Sequence, residues 1–214
     1  MLGRIIALLM KLGELQRLVC KMDIVSLLEE FADLIRNEEV EVYNEFSLQH
    51  ELGIFLRAKL TGNKVQFERN TKFFGITGTV KHEIDIVIYN ENEKYAIELK
   101  YPLNGQYPEQ MYSFIKDIKF MEQLKEAGFD GAYCMTLVRD KNFYSGNKVD
   151  GVYSYFRNGN TIHGTIIKPT GKKDESIDVH GEYQVEWKSI NNWKYYIVDM
   201  LCALRKEAGF YRNN

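Results

Sequence analysis

Apolar residues recur at alternating spacings of three and four near the start of the chain, which is the periodicity of one face of an α-helix. The resulting stripe is formed by Ile5, Leu8, Leu12, Leu15 and Val19. Such a helix packs on the body of the protein or pairs with a second copy, so a homodimer through this segment is one of two interpretations. Met22, which Asp23 follows, is an alternative start, and the first segment would then not belong to the native protein.

Two further segments have the same helical periodicity. Asp23 is a favourable N-cap residue for a helix over residues 24–36. A second helix is predicted over residues 44–60, and its apolar face would comprise Phe46, Leu48, Leu52, Phe55, Leu56 and Leu60. We therefore assign residues 1–37 to N-terminal helices and residues 38–214 to the main domain.

The periodicity changes to two in the next part of the chain, which is typical of β-strands. Residues 64–68 predict a short strand and residues 73–79 a glycine-rich loop. The runs EIDIVIY at residues 83–89 and YAIEL at residues 95–99 flank a polar Asn-Glu-Asn-Glu turn. This arrangement predicts a β-hairpin.

A helix and a buried strand are predicted after the hairpin. Pro108 suits the first turn of a helix that runs to about residue 127, and Gly128 lies just past its end. Residues 132–138 (AYCMTLV) then predict a buried strand. The order strand, strand, helix, strand predicts an α/β fold with a mixed β-sheet flanked by helices.

The last third of the chain is predicted to be a β-rich C-terminal extension of this domain. Residues 152–157 and 161–168 flank Asn158-Gly159-Asn160, which is a strong hairpin-turn signal. A further strand is predicted over residues 184–188. Residues 193–200 predict either a strand, which we favour, or the start of a final helix that runs through Leu204.

Length and composition narrow the class of protein. The 214 residues suffice for one domain, and a charged fraction of 27% is ordinary for a globular protein. A net charge of −2 means that nucleic-acid contacts must come from a local basic surface. The dispersed Cys20, Cys134 and Cys202 are typical of free thiols in a reducing compartment, so a cytoplasmic location is expected. No apolar run is long enough to span a membrane.

Two acids interrupt the apolar strands of the predicted hairpin, Asp85 in the first strand and Glu98 in the second. Because an unpaired buried carboxylate is costly, each acid needs a partner such as a cation. Alternate residues share a face of a strand, so Glu98 and Lys100 point the same way, and the hairpin can bring Asp85 beside Glu98. Two close carboxylates favour a cation between them, and hard oxygen ligands favour Mg²⁺ or Mn²⁺. A neighbouring lysine can orient or help to deprotonate an attacking water.

Asp85, followed after the hairpin turn by Glu98-Leu99-Lys100, resembles the motif of the PD-(D/E)xK nuclease superfamily. An isoleucine replaces the proline that often precedes the first acid. The resemblance covers roughly residues 40–140 and implies a restriction-endonuclease-like fold that hydrolyses phosphodiester bonds, with DNA as the favoured substrate. It also implies that Asp85, Glu98 and the carbonyl of Leu99 bind Mg²⁺, or Mn²⁺ as a substitute, and that Lys100 positions water.

The resemblance further implies a glutamate on the helix before the hairpin, which would hold a second ion or a metal-bound water. Glu45 and Glu51 both lie on that helix, and at about 100° per residue they cannot face the metal equally. The Asn-Glu-x-Ser pattern at residues 44–47 is similar to that of some nuclease-like families and favours Glu45. Glu51 stays open as a metal ligand, and Glu68 is a further candidate.

Two alternatives stand beside the nuclease interpretation. The pattern of an Asp followed by Glu-x-Lys is short and arises by chance, in which case the hairpin would end in an edge strand with its charges in solvent. A nuclease-like fold that no longer cuts would instead serve as a nucleic-acid or protein binding module.

Two other groups of residues are weaker candidates. Asp117 and Lys119 lie on the helix after the hairpin and could reach the metal, although a charged helix is more often a solvated face. A basic and aromatic set could bind nucleic acid or could form the exposed side of a β-hairpin. This set comprises Lys141, Asn142, Phe143, Tyr144, Lys148, Tyr153, Tyr155, Arg157, Lys168, Lys172 and Lys173.

Overall fold

The computed structural model describes residues 22–103, 105–171 and 174–200. The predicted N-terminal stripe, and the homodimer interpretation that depends on it, lie outside these ranges, as do Cys20, Cys202, Lys172 and Lys173. Cys134 is a buried free thiol, as its sequence setting predicts. Within the described ranges, no helix is both long enough and apolar enough to cross a membrane.

Helices α1 (Ile24–Arg36) and α2 (Glu45–Lys59) confirm the two helices predicted before the first strand, and Asp23 caps α1 as predicted. One member of the predicted apolar face of α2 is wrong, because the side chain of Phe46 is 81% exposed. Phe46 lies two residues before the buried Leu48, which is about 200° around the helix, so its side chain points away from the core.

The strands form one large sheet and one small sheet. Their bounds are β1 (Lys64–Asn70), β2 (Glu83–Tyr89), β3 (Lys94–Lys100), β4 (Gly131–Val138), β5 (Ile162–Ile167), β6 (Ser176–Tyr183), β7 (Lys188–Ile190) and β8 (Trp193–Asp199). The large sheet has the order β1-β2-β3-β4-β8-β7, in which β3 and β4 are parallel and the other neighbours are antiparallel. The predicted hairpin, and an α/β fold with a mixed sheet, are confirmed.

Helices cover both faces of the large sheet. Helix α3 (Tyr107–Glu126) connects β3 to β4, as predicted, and packs on one face. Helices α1 and α2 pack on the other face. Alternate residues of β2 fill the two cores, with Val87 directed towards α3 and Ile86 and Ile88 towards α1 and α2. Because β3 and β4 are parallel, their carboxyl ends meet at one edge of the sheet, next to the start of α2.

The last third of the chain differs from its prediction. The segment predicted as a strand at residues 152–157 forms helix α4 (Tyr153–Arg157) instead. Phe156 is buried there, with its ring against Phe114 and Tyr196. The strand prediction depends on the Asn158-Gly159-Asn160 turn signal, whereas one helical turn suffices to bury Phe156.

The predicted pairing around Asn158-Gly159-Asn160 is wrong as well. Strand β5 pairs with β6 in a separate two-stranded sheet, and the turn connects α4 to β5. Gly159 has a φ of 67°, which explains the glycine without requiring a hairpin. Residues 184–187 are not a strand, whereas β8 confirms the strand predicted from residue 193.

Candidate functional site

The β2–β3 ladder opens at the two acids that interrupt these strands. Ile86 and Ile97 are the last regular pair, and beyond them side chains replace the ladder bonds. The backbone N–H of Asp85 donates to Glu98 Oε1 at 3.3 Å, and the N–H of Leu99 donates to Asp85 Oδ2 at 2.7 Å. The structure therefore brings Asp85 and Glu98 together, at the point where the strands diverge.

The β1–β2 ladder is also interrupted at Asp85. The pairing includes the residues on both sides of Glu68 but omits Glu68 and Asp85 themselves. Glu68 has a φ of 48°, which is unusual for a glutamate within a strand. Gln49 Nε2 donates to Glu68 Oε1 at 2.6 Å and to the carbonyl of Asp85 at 2.9 Å. Helix α2 thus holds both strands at their irregular position.

Glu98 is 1% exposed and lies on the α3 side of the sheet, where a lysine accompanies it. The Lys81 ammonium group, from the loop before β2, contacts Glu98 Oε2 and lies 2.9 Å from Asp117 Oδ1. Asp117 Oδ2 is buried without a hydrogen-bond partner and is 3.6 Å from Lys100 Nζ. Asp117, a weaker candidate in the sequence, therefore lies beside both lysines.

Lys100 connects this buried group to the start of α2. Its Nζ donates to the carbonyl of Leu99 at 3.0 Å and lies 3.4 Å from Glu45 Oε1. Glu45 Oε2 accepts the backbone N–H of Tyr101 at 3.2 Å. Glu45 is held in place because a capping box between Asn44 and Ser47 fixes the first turn of α2.

A small cavity of about 60 Å³ lies on the α2 side of the opened ladder. It is lined by Glu45, Phe46, Gln49, Glu68, Asp85 and Leu99. Its volume is sufficient for about two water molecules. The structure places Glu45 at this cavity and does not place Glu51 among its lining residues, so the geometry favours Glu45 in the choice that the sequence leaves open.

The charges around the site leave a deficit of positive charge. Among the described residues, the acids Glu45, Glu68, Asp85, Glu98 and Asp117 lie around this site with two lysines, Lys81 and Lys100. Burial raises the pKa of Asp85 to about 6, although the two lysines oppose this shift. Burial, together with the carboxylates of Asp85 and Asp117, raises the pKa of Glu98 well above its usual value. When these acids are ionised, a divalent cation would offset most of the excess negative charge.

The side chains fit a divalent cation in donor type and in charge. Carboxylate oxygens are the ligands that Mg²⁺ prefers, and Asp85, Glu45 and Glu68 line one cavity. Asp117 Oδ2 has no hydrogen-bond partner, and the lysine nearest to it, Lys100 at 3.6 Å, is shared with Glu45. Glu98, however, is bound by Lys81, so it could become a ligand only if the flexible lysine side chain moved away.

Among the described residues, one group of three has its ligand atoms within 4.8 Å of one another, namely Glu122, Glu126 and His180, and the acids around Asp85 do not form such a group. The carboxylate of Glu122 is already saturated, because it accepts bonds from Lys119 Nζ, the backbone N–H groups of His180 and Gly181, and the Tyr183 hydroxyl. These bonds attach β6 to α3 and give the group a structural role. Lys119, a weaker candidate for the nuclease site, lies in this group rather than beside Asp85.

Some members of the basic and aromatic set in the last third of the chain make contacts within the fold. Phe143 is buried against Tyr107 and Phe114. The guanidinium of Arg157 donates to the carbonyls of Asn142 and Lys148. Since residues 153–157 are helical, the interpretation as the exposed side of a hairpin is wrong, and nucleic-acid binding by the remaining residues stays a prediction.

Sequence reasoning missed Lys81 and Gln49. Lys81 belongs to a loop and Gln49 to a helix face that reads as ordinary surface. Their only signal is position, because Lys81 precedes the hairpin by two residues and Gln49 follows Glu45 by one helical turn.

Comparison of the chain with protein-family models, with curated proteins and with solved structures found no significant match.

Proposed function

We propose that the chain is a Mg²⁺-dependent endonuclease of the PD-(D/E)xK class, with a restriction-endonuclease-like fold, that hydrolyses phosphodiester bonds of DNA. The observation that carries this proposal is the convergence of four side chains at the open end of one hairpin. The first two are Glu98, whose carboxylate accepts the N–H of Asp85, and Asp85, whose carboxylate accepts the N–H of Leu99. The other two are Lys100 and Glu45, whose charged groups lie 3.4 Å apart.

The order of elements around the site supports the class. A helix carrying Glu45 precedes the hairpin, and α3 followed by the parallel strand β4 comes after it. This order agrees with what the sequence resemblance implies. In this order of elements, Glu98 and Lys100 lie near the carboxyl end of β3, beside the parallel strand β4.

Asp85, the carbonyl of Leu99 and Glu45 would hold Mg²⁺, with Glu98 joining them once Lys81 has moved. The bound ion would lower the pKa of a water molecule and offset negative charge on the phosphate. The protein contributes the fixed position of these ligands, because Asp85 is held by bonds from Leu99 and Gln49.

Lys100 would act as a cation beside the reacting phosphate. Burial lowers its pKa, but the carboxylates of Asp117 and Glu45 outweigh this effect, and the pKa lies above its ordinary value. Lys100 therefore stays protonated, which favours orienting water and offsetting charge over accepting a proton.

The experiment that tests the proposal is DNA cleavage by the purified chain with and without Mg²⁺. We expect Mg²⁺-dependent cutting, a loss of at least about a hundredfold in Lys100→Ala, and an unchanged circular dichroism spectrum. Lys94→Ala is the matched control, because Lys94 lies at the opposite end of the same strand. Full activity in Lys100→Ala, or equal losses in both variants, would refute the role of Lys100.

One observation favours a second candidate function, a nuclease-like binding module that does not cut. The ion pair between Lys81 and Glu98 supplies internally the positive charge that a metal would provide. Titration with Mn²⁺ separates the two functions. The enzyme would bind Mn²⁺ through Asp85, whereas the module would bind none.

A further inference from the structure

An aromatic side chain is exposed at the mouth of the cavity that contains Asp85. Phe46 lines this cavity, yet 81% of its side chain is accessible to solvent. Tyr43, three residues earlier, is 62% exposed, so two exposed rings flank Glu45 in sequence. Neither ring is buried in the core, so packing within the fold does not account for these two aromatic residues.

The position of Phe46 is fixed relative to the candidate site. Phe46 and Gln49 are three residues apart on α2 and therefore share one face of the helix. Gln49 donates to the carbonyl of Asp85 at 2.9 Å. The ring thus belongs to the same helix face as the side chain that contacts Asp85.

An exposed ring next to the proposed nuclease site could stack on a nucleic-acid base. Proteins hold single strands by stacking bases on aromatic side chains, while cations contact the phosphates. Lys100 supplies a cation beside this cavity. The bases of a continuous duplex are already stacked on one another, so only an unpaired base offers its face to a protein ring.

We propose that Phe46 stacks on an unpaired base next to the phosphate that is cut, so that the site acts on single-stranded DNA or on unpaired segments rather than on continuous duplex. This inference rests on the proposed nuclease function and specifies its substrate class.

The test compares binding of a labelled single strand and of a duplex of the same sequence to the full chain, by fluorescence anisotropy in Ca²⁺. We expect tighter binding of the single strand and about a tenfold loss of that binding in Phe46→Ala. Phe46→Trp should retain binding and Phe46→Leu should not, because stacking requires a ring. Ile54→Ala is the matched control, since Ile54 is exposed on the same helix but is not among the residues that line the cavity.

Three results would overturn the proposal. These are equal affinity for both forms of DNA, absence of single-strand binding, and equal effects of Phe46→Ala and Ile54→Ala. Failure of the stacking proposal can be distinguished from failure of the proposed nuclease function. Binding that depends on Phe46 but without Mg²⁺-dependent cutting supports stacking and refutes the enzyme, whereas cutting of duplex that is indifferent to Phe46 does the reverse.

Discussion

Lys81 determines the charge of the buried half of the site. Its ammonium group contacts Glu98 and Asp117, both of which are almost fully buried. Burial lowers the pKa of Lys81, but the carboxylates of Asp117, Glu98 and Asp85 outweigh it, and the pKa lies above its ordinary value. Lys81 is therefore charged, and it would compete with the proposed metal ion for Glu98.

Replacing Lys81 by methionine should destabilise the fold and strengthen metal binding. The change leaves the buried Glu98 without its cation and Asp117 with Lys100 alone, so we expect the free energy of unfolding to fall by about 3 kcal/mol. Mn²⁺ should restore part of this loss and bind more tightly than to the unaltered chain. Chemical denaturation with and without Mn²⁺ measures both effects, and Lys72→Met, at an exposed position, is the control. Destabilisation that Mn²⁺ does not reverse would contradict a shared site.

Glu68→Gln tests whether Glu68, at the irregular position of β1, contributes to metal binding in the cavity. The amide oxygen can still accept the bond from Gln49, so the free energy of unfolding should change by less than about 0.5 kcal/mol. Loss of the charge should weaken Mn²⁺ binding about tenfold in calorimetry. Glu51→Gln removes an acid of the same type from α2, outside the lining of the cavity, and should leave Mn²⁺ binding unchanged. Similar losses of Mn²⁺ binding in both variants would show that the effect comes from overall charge and not from the position of Glu68.

The residues of the site differ in how far the sequence predicts them. Asp85 and Glu98 are predictable as neighbours because a hairpin determines which residues lie opposite one another. Lys81 and Asp117 come from a loop and from the buried face of α3, and their approach depends on how separate elements dock. Periodicity describes each element alone, so it contains no information about that docking.

Glu122 is an element-scale contact that joins the small sheet to α3. Its carboxylate accepts the backbone N–H groups of His180 and Gly181, which lie near the carboxyl end of β6. Burial raises the pKa of Glu122, but its bonds from Lys119, Gly181 and His180 outweigh this effect, and the net pKa is lowered. The ionised form therefore stabilises the attachment.

Glu122→Ala should lower the free energy of unfolding by about 2 to 4 kcal/mol, because buried donors are left unpaired. Since the folded pKa lies below the ordinary value of 4.5, the contribution is present above that value and is lost as the pH falls through the folded pKa. The difference between wild type and variant should therefore shrink in acid. Urea denaturation at several pH values measures it, with Glu126→Ala as an exposed control. A difference that does not depend on pH would contradict the role of the ionised form.

Helix α4 shows why one element escaped prediction. Its five residues are too few for a helical pattern to be distinguished from alternation, and three of them are aromatic. Burial of Phe156 against Phe114 depends on a residue far away in the sequence. The longer elements α1, α2 and α3 are predictable because periodicity, caps and stop signals agree along their whole length.

At the scale of the whole molecule, the large sheet joins distant parts of the chain. Strands β1 to β4 lie side by side in the order of the sequence. Strands β8 and β7, from the far end of the described chain, extend the sheet beside β4. The sequence predicts β8 as a strand but cannot specify its neighbour. The candidate site lies among strands β1 to β4, whose spatial order follows the sequence, and the geometry of its hairpin was therefore predictable.

Metal binding should stabilise the whole fold, because Asp85, Leu99 and Glu45 come together only when the sheet and α2 are formed. Mn²⁺ at a hundred times its Kd should raise the free energy of unfolding by about 2.7 kcal/mol. The corresponding rise in Tm should vanish in Asp85→Asn. Differential scanning fluorimetry measures both, and an equal rise in the variant would show that Mn²⁺ binds elsewhere.

The most direct test of the central claim is cleavage of DNA by wild type and Asp85→Asn, side by side, with and without Mg²⁺. Asparagine can still accept the N–H of Leu99, so the variant should remain folded. We predict that wild type cuts DNA only with Mg²⁺ and that Asp85→Asn does not cut. Cleavage without a metal, cleavage by a folded Asp85→Asn variant, or no cleavage of single-stranded or duplex DNA by the wild type would contradict the account.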